Sequence, residues 1–328
     1  MSQSIKMQAV FIFGMPKSGT TLLTALLDSH PDVLVFPVES RYYTPQFQAA
    51  WKHASTVSDV VDAVFTVSGF STFNPNVASH KKDVFGRRPA YVDRIPYEVF
   101  RNGLTAELEG VGTMTMGNLF LATARALAPI LGYEKLPRYY LEKTPYNEFH
   151  QRAIEMDVPR STLLHVMRDP YDNFASFKLW LEQKAHVYST QFILDWRHSR
   201  TIAENNKRRK RALLVQYEDL VADPKKEMQQ VAAHLDVPFQ DSMLTPTLAG
   251  VPWKGNSSDG KQFSGIAKSQ VKRSLGVLTD AERVLVGAYC TDERVSPLAV
   301  AQALTTLPFK EQIRLTLGAL FPISGHRR

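Results

Sequence analysis

The chain has 328 residues, 44% of them hydrophobic and 22% charged, a globular composition that excludes a mainly disordered chain and supplies a sizeable core. Its 39 basic against 32 acidic residues leave a formal charge of +7, which suits an anionic ligand, a nucleic acid or an acidic surface without specifying a fold. One cysteine, Cys290, excludes an intrachain disulfide and a cysteine zinc site, as expected in a reducing compartment.

In chain order, the first apolar run, Ala9–Phe13, reads as a strand buried on both faces. Extended to Met15 it is still short for a signal segment, and it continues into Pro16-Lys17-Ser18-Gly19. A helix is predicted over Thr20–Ser29, then strands at Val33–Phe36 and Arg138–Leu141, a helix at Pro145–Glu155 and a strand at Thr162–Val166. Helices at Pro170–Gln183 and Pro224–His234 each begin with proline after aspartate, the pattern of an N-cap followed by the first helical residue. Between them lies a strand at Ala212–Gln216. Thr279-Asp280-Ala281-Glu282 has capping-box spacing and opens a helix to Tyr289, and Lys310–Phe321 reads as an amphipathic helix expected to pack on its own domain rather than on an anionic membrane.

Strands alternating with helices predict an α/β fold, a P-loop-like parallel β-sheet with helices on both faces, forming one domain over residues 1–328. Residues 40–136 form a long helical insertion, expected as a lid or layer over the acceptor site, with loops at Phe73–Asn76 and Arg87–Pro89. No run reaches the roughly 18 apolar residues of a spanning helix, so a cytoplasmic protein without a transmembrane segment is expected.

The strongest local signal is Gly14-Met15-Pro16-Lys17-Ser18-Gly19-Thr20-Thr21 between a strand and a helix. Glycines let the backbone turn around an anion, and the helix presents unpaired N–H groups and the positive end of its dipole. The spacing is near that of a nucleotide-binding P-loop, but Thr20 stands where the lysine belongs and Lys17 lies three residues earlier. The lysine and hydroxyl that a nucleoside triphosphatase needs are therefore not both in place. A kinase or NTPase, with Asp169 holding magnesium, and a non-catalytic nucleotide-binding protein are the alternatives.

Pro16-Lys17-Ser18-Gly19-Thr20-Thr21 resembles the 5′-phosphosulfate loop of sulfotransferases that use 3′-phosphoadenosine 5′-phosphosulfate (PAPS), closest in pattern to the bacterial and protein-tyrosine group. The resemblance implies that this loop holds the 5′-phosphate and that Lys17 stabilises charge on the bridging oxygen. A second block, Leu163–Pro170, is a strand ending in Arg168, with Ser176 eight residues later on the next helix. Arginine's fork and a serine hydroxyl can converge on one phosphate, and in this family the pair forms the 3′-phosphate site. Tyr217, in Leu213–Leu220, matches the tyrosine that contacts adenine.

Sulfuryl transfer to a hydroxyl needs a proton acceptor and cations for the leaving phosphate. Glu39-Ser40-Arg41 falls where the tyrosine-directed relatives carry a Glu-Thr-Arg triplet, which implies Glu39 as base. His30, His150 and His165 are weaker rivals, expected at a helix end, on a helix and in the core. Lys143 matches a lysine that assists the sulfuryl group, although Thr144 replaces the family's aspartate. Trp253–Ser258 and Phe263–Ile266 resemble the segment that covers the cofactor; by that match Ser257 reaches the 5′-phosphosulfate and Arg273 the 3′-phosphate. The implied reaction is metal-free in-line transfer from PAPS, releasing PAP, to a small-molecule or glycan hydroxyl or an amine. The basic run Lys207–Arg211 is expected to be a solvated helix end or a fringe that steers the nucleotide, not a nucleic-acid site.

Overall fold

The computed structural model describes residues 7–77, 89–183, 190–258, 260–263, 265–267 and 271–320. Strand β1 (Gln8–Phe13) runs through the middle of a five-stranded parallel sheet of order β2-β3-β1-β4-β5. After it come α1 (Thr20–Leu27), β2 (Val33–Val35), α2 (Pro45–His53), α3 (Val57–Thr66), α4 (Tyr97–Glu109) and α5 (Met116–Ile130). Next are β3 (Tyr139–Lys143), α6 (Gln151–Asp157), β4 (Thr162–Met167), α7 (Pro170–Gln183), α8 (Gln191–Asn206) and β5 (Ala212–Gln216). The chain continues through α9 (Tyr217–Ala222), α10 (Pro224–Leu235), the antiparallel pair β6 (Thr247–Leu248) and β7 (Val251–Pro252), α11 (Asp280–Cys290), α12 (Pro297–Thr305) and α13 (Phe309–Leu320).

The two-residue alternation of a strand assigns β1 to two cores. Ala9, Phe11 and Phe13 pack into one, Val10 and Ile12 into the other. Covered on both faces, the strand keeps no polar side, which is why its sequence is continuously apolar. On one face lie α1, α9 and α10, through Leu22, Leu26, Leu220, Val231 and Leu235. The other face carries residues of the long insertion, whose Tyr42, Phe70 and Phe120 form an aromatic cluster with Phe36, neighbouring ring centroids lying 4.9–6.4 Å apart. A third core joins α7, α8, α11 and α13 through Phe174, Phe192, Leu285 and Leu315.

Most of residues 40–136 therefore build one helical layer of the sheet, a larger structural part than a lid. Among the described residues of the insertion, Arg41 and short turns at Gly69–Thr72 and Pro89–Tyr91 reach a cleft. Of the expected loop Phe73–Asn76, Asn74–Asn76 is irregular while Phe73 ends a 3-10 turn, and Arg87 and Arg88 lie outside the described residues. The helix expected from Pro145 starts later, at a 3-10 turn over Asn147–His150, because Tyr146 takes a left-handed conformation (φ 71°) that breaks the helical path. Helices α8 and α9 had no strong periodic signal and were not anticipated. Predicted caps are present: Asp169 Oδ1 accepts from Asp172 N at 2.9 Å, Asp223 Oδ1 from Lys226 N at 3.1 Å, and Thr279 and Glu282 form a reciprocal box.

Among the described residues no helix is long and apolar enough to cross a membrane. Helix α13 packs on α8, with Leu315 fully buried. The basic run lies between α8 and β5, at the N-terminal edge of the sheet and away from the strand ends that form the clefts described below. There Arg209 pairs with Glu155 at 2.6 Å and Lys207 with Glu204 at 2.8 Å, just past the end of α8.

Candidate active site

The connection after β1 leads toward β2 on one side of the sheet, while that after β4 leads toward β5 on the other. Such a reversal opens a crevice at the C-terminal strand ends, where open α/β sheets place ligands. The loop 14–19 and Arg168 both stand at this crevice. Lys17, Gly19, Thr20, Thr21, Arg168, Ser176, Tyr217 and Ser257 line one cleft of about 630 Å³.

The loop is shaped for an anion. Gly19 sits at φ 104° with its α-carbon against Tyr217; a β-carbon there would lie 2.3 Å from the ring. No side chain caps α1, so the first-turn N–H groups have no competing side-chain acceptor at that end. The Arg168 guanidinium donates to the Lys17 carbonyl at 2.9 Å and stacks 4.5 Å from the Tyr217 ring centroid, which locks the two anion-binding segments together. Tyr217 is thus a wedge between Gly19 and Arg168 as well as a wall of the cleft. Ser18 and Ser176 are 1% and 2% exposed, and among the described residues neither hydroxyl oxygen has a hydrogen-bond partner. A buried hydroxyl left so is costly unless a ligand completes it. Lys17 Nζ reaches across to the Asn256 carbonyl at 2.8 Å, joining the loop to the covering segment.

Pro16 contributes its carbonyl, which accepts from Asn173 Nδ2 at 2.8 Å, rather than a wall of the cleft. The Arg273 side chain and Ser264 lie outside the described residues.

A second, larger cleft of about 1850 Å³ adjoins the first and shares Thr21, Trp253, Gly255 and Asn256 with it. Glu39 and Lys143 are here, beside Phe36, Tyr91 and Trp253. Strand β3 runs two residues further than anticipated, so that Lys143 is its last residue and points from the sheet edge into the cleft. Lys143 Nζ donates to Glu39 Oε1 at 2.9 Å and Arg41 Nη2 approaches Oε2 at 3.3 Å. Burial by itself raises the Glu39 pKa, but the Lys143 and Arg41 cations outweigh it and hold the carboxyl at about 2.

Two residues with no local motif position this carboxylate. Glu142, fully buried on β3, accepts from Ser40 Oγ at 2.7 Å, Ser40 N at 3.1 Å, Thr144 Oγ1 at 2.6 Å and Asn147 Nδ2 at 2.8 Å. It thereby holds the Glu39-Ser40-Arg41 turn, and burial pushes its own pKa up. Gly69 packs directly on the Glu39 backbone; a β-carbon there would come within 1.9 Å of the Glu39 carbonyl oxygen. A carboxylate at the end of an apolar strand was the available clue for Glu142, whereas Gly69 had none. A third missed residue, Glu148, accepts from Gly14 N at 3.2 Å and Ser199 Oγ at 2.8 Å, behind the anion loop.

No histidine lines either cleft among the described residues. His30 bonds the Pro238 carbonyl at 2.9 Å, His150 stacks on Tyr43, and His165 bonds Ser199 in the core, where burial lowers its pKa to about 3. Asp169, the carboxylate considered for magnesium, caps α7.

Comparison with known proteins places these clefts in context. The model of the sulfotransferase family matches residues 9–241. A Caenorhabditis briggsae chain that carries a protein-tyrosine sulfotransferase name is 25% identical over 248 residues, covering 72% of this chain and 68% of that one. The sulfotransferase domain of the curacin biosynthetic pathway superposes with a TM-score of 0.53 at 15% identity, covering 92% of this chain and 97% of the other. That of the Synechococcus PCC 7002 olefin synthase gives 0.52 at 17% identity with the same coverage. At such identities the two structures establish a common fold.

Proposed function

The chain belongs to the sulfotransferase family, and we propose that it moves the sulfuryl group of PAPS onto a hydroxyl of a carbohydrate, lipid or small natural product, or onto an amine, leaving PAP. One observation carries the nucleotide assignment. The glycine loop and the Arg168–Ser176 pair face a single cleft, and the unsatisfied Ser176 hydroxyl belongs to a residue of its lining. Two anion pockets in one cleft fit a nucleotide phosphorylated at both its 3′ and 5′ ends. Bound there, the nucleotide would supply an activated sulfuryl group and a phosphate leaving group.

The residues of this chain divide the remaining work. Lys17, Thr20, Thr21, Ser257 and the first turn of α1 receive the charge of the leaving phosphate. Arg168 and Ser176 take the 3′-phosphate, as Arg273 does by resemblance, and Tyr217 flanks the adenine. Glu39 accepts the acceptor's proton, but at a pKa of about 2 it is a weak base while Lys143 holds it. Negative charge arriving beside Lys143 draws the ammonium away, and the burial then left around Glu39 raises its basicity. The same lysine thus stabilises the sulfuryl group and releases the base when the donor is in place. The acceptor lies in the second cleft, between Phe36, Tyr91 and Trp253.

Labelled PAPS incubated with a panel of hydroxyl and amine acceptors tests the activity. Glu39→Gln is expected to lower kcat by about 100-fold or more while PAP affinity changes little. Lys17→Ala is expected to weaken both. Wild-type turnover in Glu39→Gln removes that residue from the mechanism. Magnesium-dependent, EDTA-sensitive turnover of ATP without use of PAPS returns the chain to the kinase reading, and PAP binding without transfer to any acceptor favours a non-catalytic protein.

A further inference from the structure

One segment closes both clefts. It enters through the β6–β7 pair, passes over the clefts at Trp253–Ser258, Phe263 and Ala267, and leaves through the turn Arg273–Gly276. Each end is tied to a helix by a carboxylate. At the entrance, Asp28, which ends α1, accepts from Thr247 Oγ1 at 2.6 Å, Gly250 N at 3.0 Å and Ala249 N at 3.2 Å. At the exit, Asp172 of α7 is 3% exposed; its Oδ1 accepts from Ser274 N at 2.8 Å and its Oδ2 from Lys272 N. Lys272 has a left-handed backbone (φ 62°), which a side-chain-bearing residue adopts at a cost unless its surroundings impose it.

The placement of both anchors relates them to the clefts. Asp172 stands four residues after Arg168 and four before Ser176, on the same side of α7, and Ser258 Oγ donates to the Ser176 carbonyl at 2.7 Å. Asp28 ends the helix that begins with Thr20 and Thr21. The part of the segment that lines the first cleft, Gly255–Ser258, Phe263, Gly265 and Ala267, lies toward the Asp172 end. Of the residues that line only the second cleft, Leu248, Val251, Pro252 and Lys254 belong to the Asp28 end, and Gln262 alone lies farther along the described segment.

We propose that Asp172 is a positioning residue for the nucleotide and Asp28 a positioning residue for the acceptor, each acting through the covering segment that it anchors. This rests on the reading of the first cleft as a PAPS site. Asp172 touches no reacting atom. It holds the exit of the segment, including the backbone of Arg273, against the helix that carries Ser176, so that losing it leaves the cover loose over the nucleotide.

The test uses the full chain, with PAP affinity from calorimetry, PAP dissociation from stopped flow, and separate KM values for PAPS and acceptor. Removing a charged acceptor of two backbone N–H groups is expected to speed PAP dissociation about 10-fold or more in Asp172→Asn, with acceptor KM within about twofold. Asp28→Asn is expected to do the reverse, raising acceptor KM about fivefold with PAP affinity within about twofold. Ser274→Pro deletes one donor without touching α7, so it decides the matter should Asp172→Asn fold poorly; about threefold faster PAP dissociation is expected. PAP binding left unchanged by both Asp172→Asn and Ser274→Pro overturns the anchor alone. Equal effects of Asp172→Asn and Asp28→Asn on both KM values mean a generally loosened fold and overturn the division between the two carboxylates. A wild-type protein that binds no PAP overturns the nucleotide reading and the anchor with it.

Discussion

The two adjoining clefts are built on different principles. The first is backbone and short polar side chains: a glycine turn, the uncapped start of α1, and an arginine clamped between a carbonyl and an aromatic ring. The second is larger, and its walls come from the sheet edge, two turns of the insertion and the covering segment. A site made of backbone tolerates almost no added atom, because no rotamer can move aside. A site made of side chains from distant segments gives way more readily, but its one reactive carboxylate depends on neighbours that hold it in place.

Single atoms added to each cleft separate these properties. Gly19→Ala combines a left-handed φ of 104° with a β-carbon 2.3 Å from Tyr217. It is expected to weaken PAP binding by about 100-fold or more, since strain and displacement together exceed about 3 kcal/mol. Titration of PAP by calorimetry measures it, and near-wild-type affinity would mean that the loop does not contact the nucleotide. Gly69→Ala adds the same methyl behind Glu39. It should lower kcat by about 10- to 100-fold through displacement of the proposed base, with PAP affinity unchanged. A loss of PAP binding in that variant would show that the clefts are not separable.

The smallest effect is in the pH profile. The Glu39 carboxyl lies below its ordinary value of 4.5, so its ion pair stabilises the fold at neutral pH, and that contribution is lost as pH falls from 4.5 toward about 2. Wild-type kcat/KM for PAPS, which reports the enzyme before the donor binds, should accordingly show no acid limb from Glu39 above about pH 5. Lys143→Ala removes the largest lowering influence and leaves burial, which raises the pKa, so an acid limb is expected to move up into the weakly acidic range. A pH profile of the variant superimposable on that of the wild type would break the coupling between Lys143 and Glu39.

Legibility in the sequence follows the same division. Strands covered on both faces announce themselves as apolar runs, and all five sheet strands run to within two residues of expectation at both ends because the sheet interior is almost continuously apolar. The loop 14–21 was readable for a related reason: glycines at fixed offsets between a strand and a helix have few structural uses. Helix α8 was missed because its sequence mixes Asp195, Arg197, Arg200 and Glu204 with scattered apolar residues, and its burial depends on α11 and α13. The aromatic layer from residues 40–136 looked like an acceptor cover, yet its phenylalanines chiefly complete the sheet's second face.

What residues 14–21, 163–176 and 213–220 announce locally is therefore the family and one end of its chemistry. Backbone conformation and helix termini are set by neighbours a few positions away. Which residues support the reacting carboxylate was settled at long range. Glu142 meets Ser40 across 102 positions, Gly69 presses on Glu39 from a different layer, and Asp172 reaches Ser274 across another 102. Buried carboxylates and close-packed glycines take their meaning from what the fold brings against them, and no spacing along the chain encodes that.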